Sequence, residues 1–514
     1  MPARPSARDE WRAFFGRRYR HYQGIGISSA VVFALAGDGL TIPLLLGLGT
    51  PPGIATIIGV LPVGFAIVQL FVPGILRRTG GNLRLVTLEI LAVGETRGLL
   101  LAAIVAAHAS GHLGATGAIV AIAVTMSLAG AASAIGGTNL LAWYGAVLAE
   151  PERRFVAPRV MSITWGLGAV LLLPVALLVQ AGLASVGVIV YAGVFAVAGL
   201  VGLAEVAVVA RMHRPGRVRV PAGAATAPLE PATRRFVQVV SIASFGSGLC
   251  PYLSIYAMSV LGLPAGFAIV LSAIAAGSAL LTSTIVGGWL HRGSSSRLLR
   301  VSFVLRGGSV LAGPLAFPGN PLAWLVLCGI AAVVSAGAAS GTIAANERLL
   351  RLSGGINLIG AQARYVAGTS LALTGGQLAS GSLLTVAPLG YPVFAALFAV
   401  SGLFRLALVP RVEVAATWSS ATGAFDVAEM RAGGGGQTGR PAADGRVQAA
   451  EEGACDGEGR GPGPGAGGPN VDERTLTDGG STAGGPIEDK PAETATGEDE
   501  PADGSVKGEP DPGG

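Results

Sequence analysis

The sequence predicts an all-α membrane protein with twelve transmembrane helices followed by a disordered acidic tail. The first indication is composition: 51% of the 514 residues are hydrophobic and 13% are charged, whereas soluble domains carry about 25% charged residues. The second is a series of apolar segments, each close to the length of about 20 residues that a helix needs to cross a bilayer. The third is arginine, which clusters in alternate segments between them.

Twelve segments are candidate spans, at 24–48, 54–76, 84–107, 117–140, 160–183, 186–210, 236–261, 266–290, 299–317, 321–345, 364–386 and 390–409. Apolarity alone leaves eleven or thirteen spans open, because only short turns divide 160–210 and 299–345. The first segment follows a basic arm, as in a secretory signal. It is longer than a typical signal core, however, and no small-residue cleavage pattern closes it, so we expect it to remain as the first span.

The distribution of arginine decides the number of spans. Clusters of arginine occupy every second loop, and no Arg or Lys occurs in the loops between them, near 49–53, 108–116, 183–186, 262–265, 317–321 and 386–390. Since excess positive charge marks the cytoplasmic side, both termini are predicted in the cytoplasm and the number of spans is even. The basic residues comprise 33 Arg and 2 Lys, which fits a GC-rich bacterial gene. We therefore expect a multi-pass protein of the bacterial inner membrane.

The same pattern divides the chain into five parts. They are a basic cytoplasmic arm (1–23), a six-helix bundle (24–210), a basic cytoplasmic central loop (211–235), a second six-helix bundle (236–410) and a cytoplasmic tail (411–514). Residues 1–410 carry 27 Arg and 10 acidic residues, whereas the tail carries 8 basic and 20 acidic ones. The tail lacks the apolar residues that would offset the entropy of ordering it, which predicts disorder.

The two bundles echo each other in sequence. GTPPG at 49–53 matches GLPAG at 262–266, an offset of 213, and at the same offset Gly80 matches Gly293 and Arg84 matches Arg297. Both GxPxG turns join the first span of a bundle to its second. Parallel six-helix repeats are a recurrent transporter architecture, with the binding site between the halves near the membrane midplane.

On these features the chain resembles the major facilitator superfamily over about residues 20–410. The loop signature of that family, Gly-x-Leu-Ala-Asp-Arg-x-Gly-Arg-Arg, is similar to PGILRRTGGNLR (73–84) and GGWLHRGSSSR (287–297), although the aspartate is replaced in both. The resemblance implies two bundles that rock around a central site, with gating contacts in these loops. The gating candidates are Arg77, Arg78, Arg84, His291, Arg292 and Arg297.

Asp38, Glu95 and Arg97 lie deep within predicted spans. At 1.5 Å per residue, each is about 17–20 Å from the cytoplasmic start of its span, where an ionisable group usually faces a cavity or a partner. Glu95 and Arg97 are about 200° apart on an ideal helix, so Asp38 is the better mate for Arg97. The Asp38–Arg97 pair either takes part in transport or clamps two spans together. Glu95 is either a protonatable coupling group or a polar contact.

The helix around Asp38 is expected to be interrupted. In AGDGLTIP, Gly37 and Gly39 allow neighbouring backbones to approach closely, and Pro43 deprives the Gly39 carbonyl of its helical donor. A free carbonyl beside a carboxylate in a weakened helix indicates a polar binding site.

The second bundle has a comparable interruption at Pro251 in GLCPYLSIY, which would release the Ser247 carbonyl. Interrupted helices at corresponding places in two halves indicate a substrate site. Polar side chains that could line it, or could simply pack between helices, are Gln69, Tyr252, Tyr256 and Gln377. Glu89, Glu205 and Arg306 lie nearer the cytoplasmic ends of their spans, where interfacial anchoring or gating contacts are expected.

These features predict a secondary active transporter that moves a small solute by alternating access, with protons as the coupling ion or with the solute gradient alone. The sequence has no Walker loop and no DDxxD motif, so neither an ATPase nor a prenyltransferase, nor any other enzyme, is expected. We expect no cofactor, metal or nucleic acid, and few charges in the spans favour a small amphipathic or apolar solute. The alternative is a membrane scaffold or sensor that signals through its acidic tail.

Overall fold

The chain folds almost entirely into helices. The computed structural model describes residues 7–148, 150–213, 228–290, 295–352, 358–387 and 390–417, so the predicted tail lies outside the described residues from 418 onward. Short 3-10 helices occupy Arg17–Tyr19, Phe65–Phe71 and Gly313–Leu315. The α-helices are α1 (Ala7–Phe14), α2 (Arg20–Ala36), α3 (Asp38–Gly47), α4 (Pro52–Gly64), α5 (Val72–Arg78), α6 (Leu83–Glu95), α7 (Arg97–Ala109), α8 (Ala115–Val147), α9 (Glu150–Ser185), α10 (Ile189–Ala210), α11 (Pro231–Gly248), α12 (Leu253–Ser259), α13 (Ala265–Leu290), α14 (Ser295–Val310), α15 (Ala323–Leu352), α16 (Leu358–Val386) and α17 (Tyr391–Thr417).

Eleven helical segments of the described residues are long and apolar enough to cross a membrane. Each overlaps one predicted span. They are Arg17–Gly47, Pro52–Arg78, Leu83–Ala109, Ala115–Gly136, Arg159–Ser185, Ile189–Ala210, Pro231–Ser259, Ala265–Val286, Ser295–Leu315, Ala323–Leu349 and Tyr391–Val412.

The remaining predicted span, 364–386, falls on α16, which is 29 residues long but is not among these eleven. Its length suffices for a hydrocarbon core of about 30 Å, but polar residues recur along it and lower its mean hydropathy. They include Arg364, Thr369, Thr374, Gln377 and Ser380. α16 packs within the bundle, against α4 and α11. Its packing therefore matches that of a span, although its composition does not.

Three of the predicted spans have a break near the middle, and in the second span the α-helix gives way to the 3-10 helix Phe65–Phe71. The first consists of α2 and α3, which meet at Gly37, and the seventh of α11 and α12, which are separated by residues 249–252. Both interruptions were predicted. A third, at Thr96 between α6 and α7, was not predicted, although Gly94 and Gly98 flank that position.

Several helices extend beyond the predicted spans. α8 has 33 residues and α9 has 36, about 50 Å each at 1.5 Å per residue. Only residues 148 and 149 separate them, so the basic segment around Arg159, predicted as a loop, is helical. α11 begins at Pro231, which makes Arg234 and Arg235 of the predicted central loop helical, and α17 continues to Thr417.

The described part of the arm predicted at 1–23 packs on one end of the bundle. α1 lies within it, and its last residue, Phe14, is fully buried in an apolar cluster with Tyr22 and Trp143. Arg18 forms an ion pair with Glu152 of α9. An exposed pair of this kind contributes little stability, so burial of the aromatic rings is the main attachment.

The helices of residues 20–210 pack in the same order as those of residues 231–417. In the first half, α2 packs against α9 and α10, α7 against α10, and both α4 and α6 against α8. In the second half, α11 packs against α16 and α17, α14 against α17 and α15, and α13 against α15. Each of these contacts in one half has its counterpart in the other.

The two halves meet along two helix pairs, α9 with α13 and α4 with α16. The interrupted first and seventh spans pack against each other mainly at one end of the bundle. α3 packs against α12 and α13, whereas α2 makes no comparable contact with α11 among the described residues. The first and seventh spans therefore touch at the α3/α12 end of the bundle and stay apart at the α2/α11 end.

The GxPxG turns have the same backbone conformation in both halves. Gly49 and Gly262, the first glycine of each turn, adopt positive φ angles of 81° and 65°, which a side chain disfavours. The sequence echo at this position thus reflects a left-handed residue that ends one helix and directs the chain into the next.

The last glycine of each turn lies against the opposite half of the molecule. A Cβ on Gly53 would overlap the Gly381 carbonyl oxygen and Thr385 of α16. A Cβ on Gly266 would lie 3.2 Å from the side chain of Gln180 in α9, and the Gly266 N–H donates to Gln180 Oε1 at 3.2 Å. These two glycines allow both helix pairs between the halves to close at the α3/α12 end.

Glycines also set the spacing of α7 and α10. A Cβ on Gly98 would overlap the backbone of Gly199, and a Cβ on Gly199 would lie 2.5 Å from the backbone nitrogen of Leu99. Small residues that allow such close backbone approach are typical of helix contacts in membranes.

We expect Gly199→Ala to lower the midpoint of thermal unfolding, because overpacking of this kind typically costs about 1–3 kcal/mol. Gly193→Ala on the same helix is the matched control. Its Cβ would meet nothing within 4 Å, and Ala is favoured over Gly in a helix by about 1 kcal/mol, so its midpoint should hold or rise. Thermal unfolding of the purified protein measures both. Equal losses in the two variants would contradict the role given to the α7–α10 contact.

Candidate functional site

Asp38 lies where the first span is interrupted. Gly37 is extended, with φ −89° and ψ 179°, and α3 begins at Asp38. A Cβ on Gly37 would overlap a backbone carbonyl oxygen of α2, and one on Gly39 would lie 2.7 Å from Ser272 Oγ. The Gly37 contact lies within its own span and the Gly39 contact is with a side chain, so the predicted close approach of neighbouring backbones is not seen at either glycine. The interruption precedes Pro43, which is accommodated inside α3.

The side chain of Asp38 is exposed, whereas the residues that follow it in α3 are buried. Arg97 of α7 and Tyr252 of the seventh span both lie within electrostatic range of its carboxylate. Because groups from two other spans face it, the exposed surface of Asp38 belongs to a space inside the bundle. As the first residue of α3, Asp38 also lies near the unpaired N–H groups of that helix, which favour an anion.

The seventh span is interrupted as Pro251 predicts. α11 ends at Gly248, and the released carbonyl of Ser247 accepts a hydrogen bond from Arg405 Nη2 at 3.1 Å. Tyr252 then adopts an extended conformation, with φ −60° and ψ 126°, before α12 begins. The interruption is therefore stabilised by an arginine from α17, and it places Tyr252 toward the first half.

Tyr252 connects the two halves at the site. A Cβ on Gly59 of α4 would lie 3.1 Å from the Tyr252 hydroxyl oxygen. Gln377 of α16 lies within interaction range of the same hydroxyl, and its buried Oε1 accepts no hydrogen bond from the described residues. The site thus brings together four of the predicted residues, from four different spans: Asp38, Arg97, Tyr252 and Gln377.

Glu95 belongs to an adjoining carboxylate cluster, which we define as Asp38, Glu95 and Glu205 around Arg97. Glu205 Oε1 accepts a hydrogen bond from Ser29 Oγ at 2.8 Å. Glu95 and Glu205 lie within electrostatic range of each other, and Arg97 lies within range of all three carboxylates. None of them forms an ion pair within 4.0 Å in the described part of the chain, so Arg97 is shared among the acids rather than paired with Asp38 alone.

The sequence predicts interfacial anchoring or gating contacts for Glu205 and Arg306. In the structure, each side chain contacts a polar group of another helix instead. Glu205 is 4% exposed between helices, and Arg306 Nη2 donates to Ser247 Oγ at 2.9 Å. Depth along a helix does not reveal which face a residue occupies. Both side chains turn toward neighbouring helices, where a serine is the hydrogen-bond partner: Ser29 for Glu205 and Ser247 for Arg306. The side chain of Glu89 lies outside the described residues.

Arg405 is 2% exposed and was not predicted as a site residue. The signal that could have found it is a second echo, at an offset of 200, between the sixth and twelfth spans. Tyr191, Gly202 and Leu203 of α10, and Arg211 directly after it, match Tyr391, Gly402, Leu403 and Arg411 of α17. In the same alignment Glu205 matches Arg405, so equivalent positions carry opposite charges.

Two predicted candidates do not join this site. Gln69 is buried in the 3-10 helix of the second span, and no described residue donates to its Oε1. Tyr256 is 1% exposed, and its hydroxyl donates to the Ala316 carbonyl. Its ring packs against Phe394 and Phe398, with centroids 5.1 and 5.5 Å away. Tyr256 is therefore part of the apolar core of the second half.

Solved structures provide the comparison with known proteins. The chain is similar to a variant of the nucleoside transporter NupG, with a TM-score of 0.53 and 12% identity over 76% of this chain and 98% of that one. It is similar to FucP, described as a Major Facilitator Superfamily transporter in the outward conformation, with a TM-score of 0.53 and 13% identity over 77% and 98% of the two chains. A variant of the E. coli fucose:proton symporter FucP gives 0.52 and 13% over 77% and 97%. The chain has the major facilitator superfamily fold.

At these identities the likeness concerns the fold alone. No protein family matches the sequence, and no curated protein matches it either. This fold is the one that the sequence resemblance implies. It leaves the site of this chain to be interpreted from its own residues.

Four of the six gating candidates of the major facilitator superfamily resemblance are described, and they lie at the α2/α11 end. Arg77, Arg78 and Arg297 are exposed. Arg84 Nη2 donates to the Ala210 carbonyl at 3.1 Å, which ties the start of α6 to the end of α10. His291 and Arg292 lie outside the described residues. A gating role for these residues stays a prediction.

Proposed function

We propose that this protein is a secondary active transporter of a cell membrane, which moves a small solute by alternating access of a site between its two halves. Asp38 is the observation that carries the proposal. An exposed carboxylate stands at a helix interruption, inside the bundle, and it is faced by groups from other spans. Ionisable residues within membrane spans that face a cavity usually mark a substrate or ion pathway.

We further propose twelve spans in two six-helix pseudo-repeats, with α16 as the eleventh. The matched packing of the two halves supports this, because α16 occupies in the second half the place that α9 holds in the first. A span that lines an aqueous site is expected to be polar, and Gln377 of α16 lies at the site. An even number of spans places both termini on the same side, and the arginine distribution makes that side cytoplasmic.

With that orientation, the α2/α11 end is cytoplasmic and the described conformation is open to the cytoplasm. Packing of α3 against α12 supports closure on the outer side. The exposure of Asp38 is then access from the cytoplasm. Alternating access requires a second state, in which the outer contacts part and the inner ones form.

Proton coupling is supported by the charge balance of the carboxylate cluster. Three carboxylates surround one guanidinium, which leaves excess negative charge that protons can neutralise. Asp38 is the coupling group that we favour, because it is exposed, whereas Glu95 is only partly exposed and Glu205 is buried. The solute gradient alone remains the alternative driving force.

Removal of the acidic tail distinguishes a transporter from a scaffold or sensor. Deletion of residues 418–514 leaves α17 intact, and we expect the truncated protein in proteoliposomes to transport at least half as fast as the full chain. The measurement is gradient-driven uptake of solutes from a metabolite panel, first screened by thermal stabilisation of the purified protein. A transporter that works only with its tail would favour a regulatory role for that segment. No transport by either form would overturn the proposed function.

A further inference from the structure

The second half contains a pair of arginines at the interruption of the seventh span. Arg306 of α14 donates from Nη2 to Ser247 Oγ at 2.9 Å, and Arg405 of α17 donates from Nη2 to the Ser247 carbonyl at 3.1 Å. Arg405 Nη1 also donates to the Arg306 carbonyl at 3.1 Å. Gly337 of α15 leaves room for Arg306, because a Cβ there would lie 2.5 Å from Arg306 Cγ. Ser247 thus holds both guanidinium groups together.

This arginine pair has no counter-ion in the described part of the chain. No carboxylate lies within 4.0 Å of either guanidinium, and the other groups within electrostatic range are Tyr365 and Cys250. The Nε atoms of both arginines are buried and donate to no described residue. Buried cations normally require a paired anion, because desolvation costs several kcal/mol per ion. A mobile anion is the missing partner.

The two arginines have different surroundings. Arg405 is 2% exposed, and both of its terminal nitrogens donate to backbone carbonyls. Arg306 is half-buried and donates only to one neutral hydroxyl. Arg405 is therefore a positioning residue that fixes the interruption, whereas Arg306 has donors left for a ligand. A guanidinium presents them in the planar fork that matches an oxyanion.

We propose that Arg306 binds one oxyanion, a carboxylate or phosphate group of the transported solute, with Arg405 holding the site in place. This rests on the proposed transport function and names its substrate class. Ser247 and Tyr252 belong to the same interrupted segment, so an anion at Arg306 leaves the rest of the solute to reach toward Tyr252, Gln377 and Asp38. The solute is then small and amphipathic, as the sequence indicates, but it carries one anionic group.

The test is saturable thermal stabilisation of the purified full-length protein by sodium acetate and sodium phosphate at constant ionic strength. Sodium chloride and acetamide serve as the simple-salt and neutral comparisons. We expect acetate or phosphate to raise the unfolding midpoint, and chloride and acetamide to leave it unchanged. In Arg306→Met the affinity should fall ten- to hundredfold, the usual contribution of a charge-assisted hydrogen bond of about 1.5–3 kcal/mol. Arg411→Met, an exposed arginine of α17, should keep the full response.

The unliganded variant gives a second readout. If Arg306 is a structural clamp, Arg306→Met lowers the midpoint without anion. If it is an unbalanced binding group, the midpoint holds or rises, since an uncompensated charge is removed. Arg306→Lys keeps the charge but not the fork, and it should bind about tenfold more weakly. If Arg306→Met does not fold, Arg306→Lys takes its place in the binding test.

Three results would overturn the inference: no saturable response to either oxyanion, an equal response in Arg306→Met, or an equal response to chloride. Transport assays then separate this inference from the proposed function. A neutral solute that is transported without any oxyanion binding refutes only the anion site. Oxyanion binding without transport of any solute refutes the transporter and leaves the site. To distinguish the two sources of the anion, acetate and phosphate are compared with solutes that carry each group.

Discussion

Gly53→Ala is expected to reduce transport at least fivefold while the protein stays folded. The added Cβ would overlap the Gly381 carbonyl oxygen and lie 2.7 Å from the Thr385 nitrogen. These are backbone atoms of α16, so no side-chain rotation relieves the overlap. Overpacking of about 1–3 kcal/mol acts only on the state in which α4 and α16 are in contact at this end. It therefore shifts the equilibrium between states by about 5- to 150-fold.

The matched control is Gly74→Ala in the same span, where an added Cβ meets nothing within 4 Å. Transport in proteoliposomes and the distance between spin labels on α4 and α16 measure the effect. Gly266→Ala should have a smaller effect in the same direction, because its closest contacts are 3.1–3.2 Å. A Gly53→Ala protein that transports normally, or whose labels stay at the wild-type distance, would show that this contact does not close the outer side.

Asp38→Asn is expected to abolish transport driven by a pH gradient, with a loss of at least a hundredfold. The amide keeps the size and much of the hydrogen bonding of the carboxylate, but it cannot bind and release a proton. Exchange of labelled for unlabelled solute, which needs no net proton movement, should survive. Uptake and exchange are measured in the same proteoliposome preparation. Together they separate a loss of proton coupling from a loss of solute binding.

Glu95→Gln and Glu205→Gln test the rest of the carboxylate cluster. We expect partial losses, because these side chains share Arg97 with Asp38 but are less exposed than Asp38. If Asp38→Asn and Glu95→Gln both retained full gradient-driven transport, proton coupling through this cluster would be refuted. Loss of exchange as well as uptake in Asp38→Asn would instead indicate a role in solute binding.

The fold was largely predictable because hydropathy and arginine placement act over whole helices. Eleven of the predicted spans are confirmed as apolar helices, and the interruptions at Gly37 and Pro251 lie close to where the glycine and proline chemistry places them. The break at Thr96 was missed, although Gly94 and Gly98 flank it. The extents of α8 and α9 were missed, since hydropathy reports where a helix meets lipid and not where it ends.

The site was less predictable, because side-chain partners depend on which faces of the helices meet. Asp38, Tyr252 and Gln377 were found from polarity and from the breaks. Glu205 and Arg405 were not, because their distance from the helix ends says nothing about the inward-facing space that they occupy. Comparison of the sixth with the twelfth span would have revealed both, since they occupy matching positions with opposite charge.

The polarity of α16 has a consequence for biogenesis. A segment so rich in hydroxyl and amide groups partitions poorly into lipid on its own, yet it lies packed between α4 and α11. As the eleventh span, it would have to be retained by helices already synthesised, which shelter its polar face. The translocon would then release the second half late, and a substitution in α4 that weakens this shelter would appear first as a defect in membrane integration.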